Sequence, residues 1–159
     1  VLADALRKNQ TITELSLGGS KIGDDDLKVL ANALSINETL IYLYLMGNQI
    51  GDAGVKALAD ALRINKTITQ LSLAGNQIGD NGVKVLADAL RVNKTLTELY
   101  LDSNPIGDEG VKALAAALEA NKTIEFVDSD TINQLTDEGM QAWNRIEAIC
   151  KENRVRQRT

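Results

Sequence analysis

The sequence predicts an α/β solenoid of about five stacked helix–turn–strand units, with helices on the convex side, parallel strands on the concave side and a helical cap at the C-terminus. Three features of the chain point there. Leu2, Leu30, Leu58, Leu86 and Leu114 stand 28 residues apart, and so do Asn9, Asn37, Asn65, Asn93 and Asn121; a unit of this length cannot bury its apolar face alone and must stack on copies of itself. In the first half of each unit the apolar residues fall at helical spacing, as Val55, Leu58, Ala59 and Leu62 do. In the second half they alternate, with Leu71 and Leu73 inward and Gln70, Ser72 and Ala74 outward. The first pattern is one face of an α-helix and the second a half-buried strand.

The chain opens within a unit. Val1 aligns with Val29, Ala57 and Val85, so the first helix lacks its opening turn. Further repeats are expected upstream, the chain being part of a longer one, and Leu6, Leu15 and Leu17 should lie at an open, apolar end. Later helices open on a GD step, and Asp24, Asp52, Asp80 and Asp108 are the expected N-caps, accepting from free backbone N–H groups and complementing the helix dipole. Asn65 and its equivalents should end the helices in the left-handed conformation of a C-cap. The strands that follow should pair in parallel at about 4.8 Å. Asn48, Asn76 and Asn104 then form a ladder that satisfies backbone groups of the turns, interrupted by Ser20 in the first unit. The last unit decays: Val127 and Ser129 replace the strand leucines, and Asn133, Leu135, Asp137 and Gly139 match their counterparts only after a one-residue insertion. Beyond it, Met140, Trp143, Ile146, Ile149 and Cys150 form one stripe of an amphipathic helix. The expected organisation is repeats over residues 1–139, the first truncated and the last degenerate, followed by a capping helix and basic tail over residues 140–159.

The run LxxLxLxxNxI, present at Ile68, Leu71, Leu73, Asn76 and Ile78 and again at Leu96, Leu99, Leu101, Asn104 and Ile106, resembles the leucine-rich repeat. The resemblance covers nearly every residue and implies a right-handed solenoid. The 28-residue length and the IGDxGVKxLAxAL helix are similar to the ribonuclease-inhibitor-like subclass, which includes the repeat regions of NOD-like receptors and of the Ran GTPase-activating protein. These relatives share a scaffold and differ in what they bind. The resemblance thus implies a protein-interaction module or, alternatively, a regulator of an enzyme such as a GTPase, or a ligand-sensing fragment of a larger NOD-like receptor or effector.

Composition narrows the function further. A net charge of −5 and a pI near 4.8 speak against nucleic acid, which calls for a basic stripe, and favour a basic protein partner. The charge is uneven: Lys151, Arg154, Arg156 and Arg158 sit in the tail, so residues 1–150 carry −8. No apolar run reaches the length of a membrane span. A single cysteine, Cys150, excludes an intramolecular disulfide and fits a reducing, cytoplasmic setting. Without histidine, Ser-His and Cys-His catalysis and histidine-ligated zinc are ruled out; no enzyme and no cofactor are expected.

Several motifs have plainer structural readings. Five Asn-x-Thr triplets begin at residues 9, 37, 65, 93 and 121 and match the N-glycosylation acceptor, but their phasing is that of a helix end followed by a turn. The GDxG segments place glycine where phosphates bind helix N-termini, yet an aspartate there repels phosphate, so tight packing between turns accounts for them better. Asp24, Asp25 and Asp26 are first-turn acids rather than a metal site. The stretch from Asp128 begins like an EF-hand and fails at Ile132, Asn133 and Gly139.

The outward strand positions are the informative ones, because packing does not dictate them. Every tyrosine and the only phenylalanine fall there: Tyr42, Tyr44, Tyr100 and Phe126, with Met46 beside them. Tyrosine and methionine are enriched in interfaces. Tyr44 and Tyr100 should flank a slot floored by Ser72, about 9 to 10 Å across. Glu98, Asp102, Asp128 and Asp130 make its C-terminal side acidic. Asp102 and Asp130 should repel across the strand pair unless a lysine or arginine of a partner intervenes. The predicted site is therefore Tyr42, Tyr44, Met46, Ser72, Glu98, Tyr100, Asp102, Phe126, Asp128 and Asp130, binding a basic protein segment.

Overall fold

The computed structural model describes all 159 residues. Six α-helices alternate with five short strands: α1 (Leu2–Lys8), β1 (Glu14–Ser16), α2 (Asp24–Leu34), β2 (Tyr42–Tyr44), α3 (Asp52–Ile64), β3 (Gln70–Ser72), α4 (Asp80–Val92), β4 (Glu98–Tyr100), α5 (Asp108–Leu118), β5 (Phe126–Asp128) and α6 (Asp137–Gln157), with a 3-10 turn at Thr131–Gln134 before the last helix. The strands form one parallel sheet in sequence order, and every helix packs only on its neighbours in the chain. This is the leucine-rich repeat solenoid that the repeat period predicts.

One continuous core of 38 buried residues runs from Ala3 to Cys150. The strand leucines Leu43, Leu71 and Leu99 meet helix residues such as Leu58, Leu62, Leu86 and Leu90 in it. At the first unit Leu15 and Leu17 are only partly buried against this core, whereas Leu6, expected at the open end, is fully buried. No helix is long and apolar enough to cross a membrane.

Two local expectations are corrected. The N-caps are Gly23, Gly51, Gly79 and Gly107, and the aspartates are the first helical residues. Their carboxylates reach forward into the next unit, where Asp24, Asp52 and Asp80 accept from the backbone N–H of Gly51, Gly79 and Gly107 at 2.7, 2.8 and 2.7 Å. Asp108 accepts likewise from the Thr136 N–H at 3.0 Å. The carboxylate remains at a helix N-terminus, where the dipole favours it, but it links units instead of closing its own helix. The second correction is at the helix ends: Asn65 and Asn93 are extended, with ψ of 134° and 129°, not left-handed. An extended residue turns the chain toward the strand, and the asparagine side chain does the capping. Asn93 shows the pattern: Nδ2 donates to the Leu62 carbonyl of the preceding unit at 2.8 Å, and Oδ1 accepts from the N–H groups of Thr95 and Leu96 at 3.0 and 2.8 Å. Asn37, Asn65, Asn93 and Asn121 are all buried, so at four of the five triplets the nitrogen that glycosylation would modify is enclosed and bonded; Asn9, in the first unit, is half-buried.

The second ladder holds as expected. Asn76 donates to Leu45 and Leu73 carbonyls at 3.0 and 2.9 Å and accepts from the Ile50 N–H at 3.1 Å. At the C-terminus α6 begins at Asp137, capped by Thr136, and buries Trp143, Ile146, Ile149 and Cys150 against the last unit. Burial pushes the Cys150 thiol up to about 11, as suits a packed rather than a reactive cysteine.

Candidate concave interface

Parallel pairing sets the outward side chains in rows across the sheet. The first row is Glu14, Tyr42, Gln70, Glu98 and Phe126, and the second is Ser16, Tyr44, Ser72, Tyr100 and Asp128. Met46, Asp102 and Asp130 follow beyond the strand ends. The alternation that buries Leu43, Leu71 and Leu99 turns these neighbours to the concave face. Tyr42, Met46 and Phe126 are 39, 41 and 38 % exposed, large apolar groups that the core does not use. Phe126 and Tyr100 sit diagonally, ring centroids 5.4 Å apart and planes tilted by 50°, a favourable aromatic geometry.

The expected slot between Tyr44 and Tyr100 is bridged. The Tyr44 hydroxyl donates to Gln70 Oε1 at 2.8 Å; Gln70 Nε2 donates to Glu98 Oε2 at 2.6 Å and to the Tyr100 oxygen at 3.3 Å; the Tyr100 hydroxyl donates to the same Glu98 oxygen at 2.7 Å. Gln70 lies one row from both tyrosines, and its side chain is long enough to reach both hydroxyls. Ser72 lies beneath at 5 % exposure. Tyr44 and Tyr100 are therefore fixed in place, which lowers the entropy a partner must remove on binding. The Glu98 carboxylate beside Tyr100 raises that phenol above its usual 10.0, and burial followed by Glu14 raises Tyr44.

The acidic residues separate into two kinds. Asp130 is engaged internally: its carboxylate accepts from the Ser103 N–H at 2.6 Å and the Ser103 hydroxyl at 3.1 Å, which holds its carboxyl below the usual range. Ser103 needs this support because its φ is 56°, at the place where Gly19, Gly47 and Gly75 take the left-handed conformation in earlier units. The expected Asp102–Asp130 repulsion is thus met by donors from Ser103. Asp102 and Asp128 take part in no ion pair and are free to meet a cation. Asp102, Asp128 and Asp130 do not converge as a metal-ligand group.

A positive component was not anticipated at this face. A cleft of about 360 Å³ at the first row is lined by Glu98, Tyr100, Glu125, Phe126, Arg154 and Arg158, and Arg154 Nη2 donates to the Glu125 carbonyl at 3.0 Å. The signal was present in the sequence: residues four apart share a helix face, so Arg154 and Arg158 turn together toward the sheet. The charge at this face therefore changes along the strands, with arginines beside Phe126 and free carboxylates at Asp102 and Asp128.

Comparison with known proteins adds a family context. The family model described as "TMOD/LMOD Leucine-rich domain" matches residues 53–158, and a "Leucine Rich repeat" model matches residues 8–31 and 37–59. No curated protein matches. Among solved structures, the Leiomodin-1 actin-binding site 2 is similar at 25% identity, with a TM-score of 0.85 over 98% of this chain and 89% of that one. The Caenorhabditis elegans tropomodulin C-terminal domain, at 17% identity and a TM-score of 0.84, shares the fold over 98% of this chain and 93% of that one.

Proposed function

Because the chain belongs to the TMOD/LMOD leucine-rich-domain family, we propose that it is a non-enzymatic, cytoplasmic protein-interaction module that binds a partner through its concave face. The observation that carries this reading is the set of large side chains left uncovered there. Tyr42, Met46 and Phe126 are large, exposed groups outside the core, and Tyr44 and Tyr100 are held ready beside them. Exposed apolar groups framed by charge mark interaction sites. In this reading Tyr42, Tyr44, Met46, Tyr100 and Phe126 are the anchors, Glu98 and Ser72 position them, and Asp102 and Asp128 select a basic residue of the partner; Asp130 shapes the rim through Ser103. Residues 1–139 act as the repeat scaffold and residues 140–159 as its cap, and the 28-residue unit with its IGDxG turn favours the ribonuclease-inhibitor-like subclass.

The test is selection of random peptides on the immobilised protein, followed by affinity measurement on the enriched sequences. Lysine- or arginine-containing peptides should be enriched, and Tyr44→Ala with Tyr100→Ala should weaken them more than tenfold, the loss of about 1.4 kcal/mol or more expected of hot spots. Enriched peptides indifferent to both substitutions would remove the assignment.

A second reading is favoured by the likeness to Leiomodin-1 actin-binding site 2: the partner is actin. Measuring actin binding by the wild type and by the double tyrosine variant separates the two readings, since actin bound equally by both would place its contact off the concave face.

A further inference from the structure

We propose that the edge formed by the C-terminal ends of the helices is a second docking surface, one that takes an acidic amphipathic α-helix of a protein partner laid across the repeats. Ile36, Ile64 and Val92 occupy equivalent places in consecutive units and are 55, 62 and 54 % exposed. They do nothing for the core, which draws on Leu34, Leu62 and Leu90 two residues earlier. Local propensity does not explain them either, because β-branched residues are mediocre helix formers. Ile36 and Ile64 share a groove of about 500 Å³ with Ser35, Glu38, Lys66 and Thr67.

Two basic rows frame this apolar line in a chain whose net charge is −5. Arg63 and Arg91 belong to one row and Lys66, Lys94 and Lys122 to the other; Glu119 and Glu38 hold the equivalent places at the far ends of these rows, so the positive stretch is centred at the ends of α3 and α4. The arginines are held only by exposed contacts to Asp60 and Asp88 at 4.0 and 3.6 Å, which contribute little. Lys94 and Lys122 lean on helix-terminal carbonyls of Arg91 and Glu119 at 3.0 and 2.9 Å, and neither they nor Lys66 form an ion pair. Acidic residues of a partner would complete both rows.

Spacing selects a helix over a strand. Packed helices lie roughly 8–10 Å apart, which sets the step from Ile36 to Ile64 to Val92. An α-helix rises about 1.5 Å per residue, so apolar residues at every seventh position recur each ~10.5 Å on one face. An extended segment would have to use every third residue, and successive ones would point to opposite sides. A membrane is the poorer fit, because the edge carries none of the aromatic residues typical of interfacial binding.

The probe is a labelled helical peptide with leucine at every seventh position flanked by glutamate, titrated with the full chain and followed by fluorescence anisotropy. Two control peptides either break the leucine spacing or replace glutamate by lysine. The acidic, correctly spaced peptide should bind at least tenfold tighter than either control. Ile64→Asn with Val92→Asn, both at exposed positions, should weaken it at least tenfold, and Lys66→Glu with Lys94→Glu should transfer the preference to the lysine peptide. Tyr44→Ala with Tyr100→Ala should leave the affinity unchanged. Equal binding of all three peptides, indifference to the asparagine substitutions, or binding only to phosphatidylserine vesicles would each overturn the proposal.

Discussion

Gln70 does at the residue scale what no single tyrosine can. Its amide both accepts from Tyr44 and donates toward Glu98 and Tyr100, so two rings on different strands are locked by one side chain. Glu98 is the charged end of the chain of bonds, and its acceptance of the Tyr100 hydroxyl is the largest cause of that phenol's raised ionisation. A phenol raised in the folded state contributes stability that is present below its unfolded value near 10.0 and is lost as pH rises through the folded value. Glu98→Ala should therefore move Tyr100 ionisation downward in an ultraviolet pH titration, with Tyr100→Phe identifying the signal. An unmoved titration would mean that Glu98 does not govern Tyr100. The outward position of these residues was legible because strand alternation is strict. The bridge was not, since whether a glutamine reaches two neighbouring hydroxyls depends on side-chain lean across strands 28 residues apart. The internal partner of Asp130 was hidden for a similar reason: the repeat period marks Ser103 as the counterpart of the left-handed Gly19, Gly47 and Gly75, but not that a carboxylate 27 residues on would bond to it.

Among the elements, the helix N-termini carry the main departure from local capping rules. Those rules look for a side chain that closes its own helix, whereas here each carboxylate closes the next one, 27 residues ahead. Asp26 shows the logic from the other side. It stands where Gly54, Gly82 and Gly110 stand later, and its carboxylate accepts from the Gly23 N–H at 3.0 Å, the bond that a neighbouring unit's aspartate makes elsewhere. The later glycines are small because the incoming carboxylate needs their space: a Cβ at Gly110 would lie 2.7 Å from Asp80 Oδ1 and 2.9 Å from Ile106 Cγ2. Gly110→Ala should accordingly destabilise the protein by about 1–3 kcal/mol, read as a lower denaturant midpoint, and should weaken the bonds that Asp80 accepts from the N–H groups of Gly107 and Gly110. An unchanged midpoint would show that the α4–α5 turn has room to spare. The sequence announced these glycines by their period, and close packing was the correct reason for them; which carboxylate they admit became visible only when adjacent units were in contact.

For the molecule as a whole, contacts between successive units only make stability a sum of neighbouring interfaces, so the cap matters more than its sequence similarity to a repeat suggests. Asn153 is the joint. It is 1 % exposed, and its Nδ2 donates to the carbonyls of Asn121 and Ile124 at 3.2 and 2.9 Å, taking over from a helix in α6 the task that the buried asparagines perform between repeats. The apolar stripe of the cap could be read from helical spacing, but Asn153 could not, because it stands 32 residues from Asn121 and falls out of the 28-residue phase. Replacing it by alanine leaves two buried carbonyls without their donor, at a cost of about 1–3 kcal/mol. Because no bond joins α6 to the early units, that loss should be local: amide hydrogen exchange in Asn153→Ala should quicken in α6 and around β5 while α2, α3 and the strands between them keep their wild-type protection. Uniform acceleration from β1 to α6 would instead mean that the solenoid opens as one cooperative unit, and that the cap sets the stability of the binding face along its whole length.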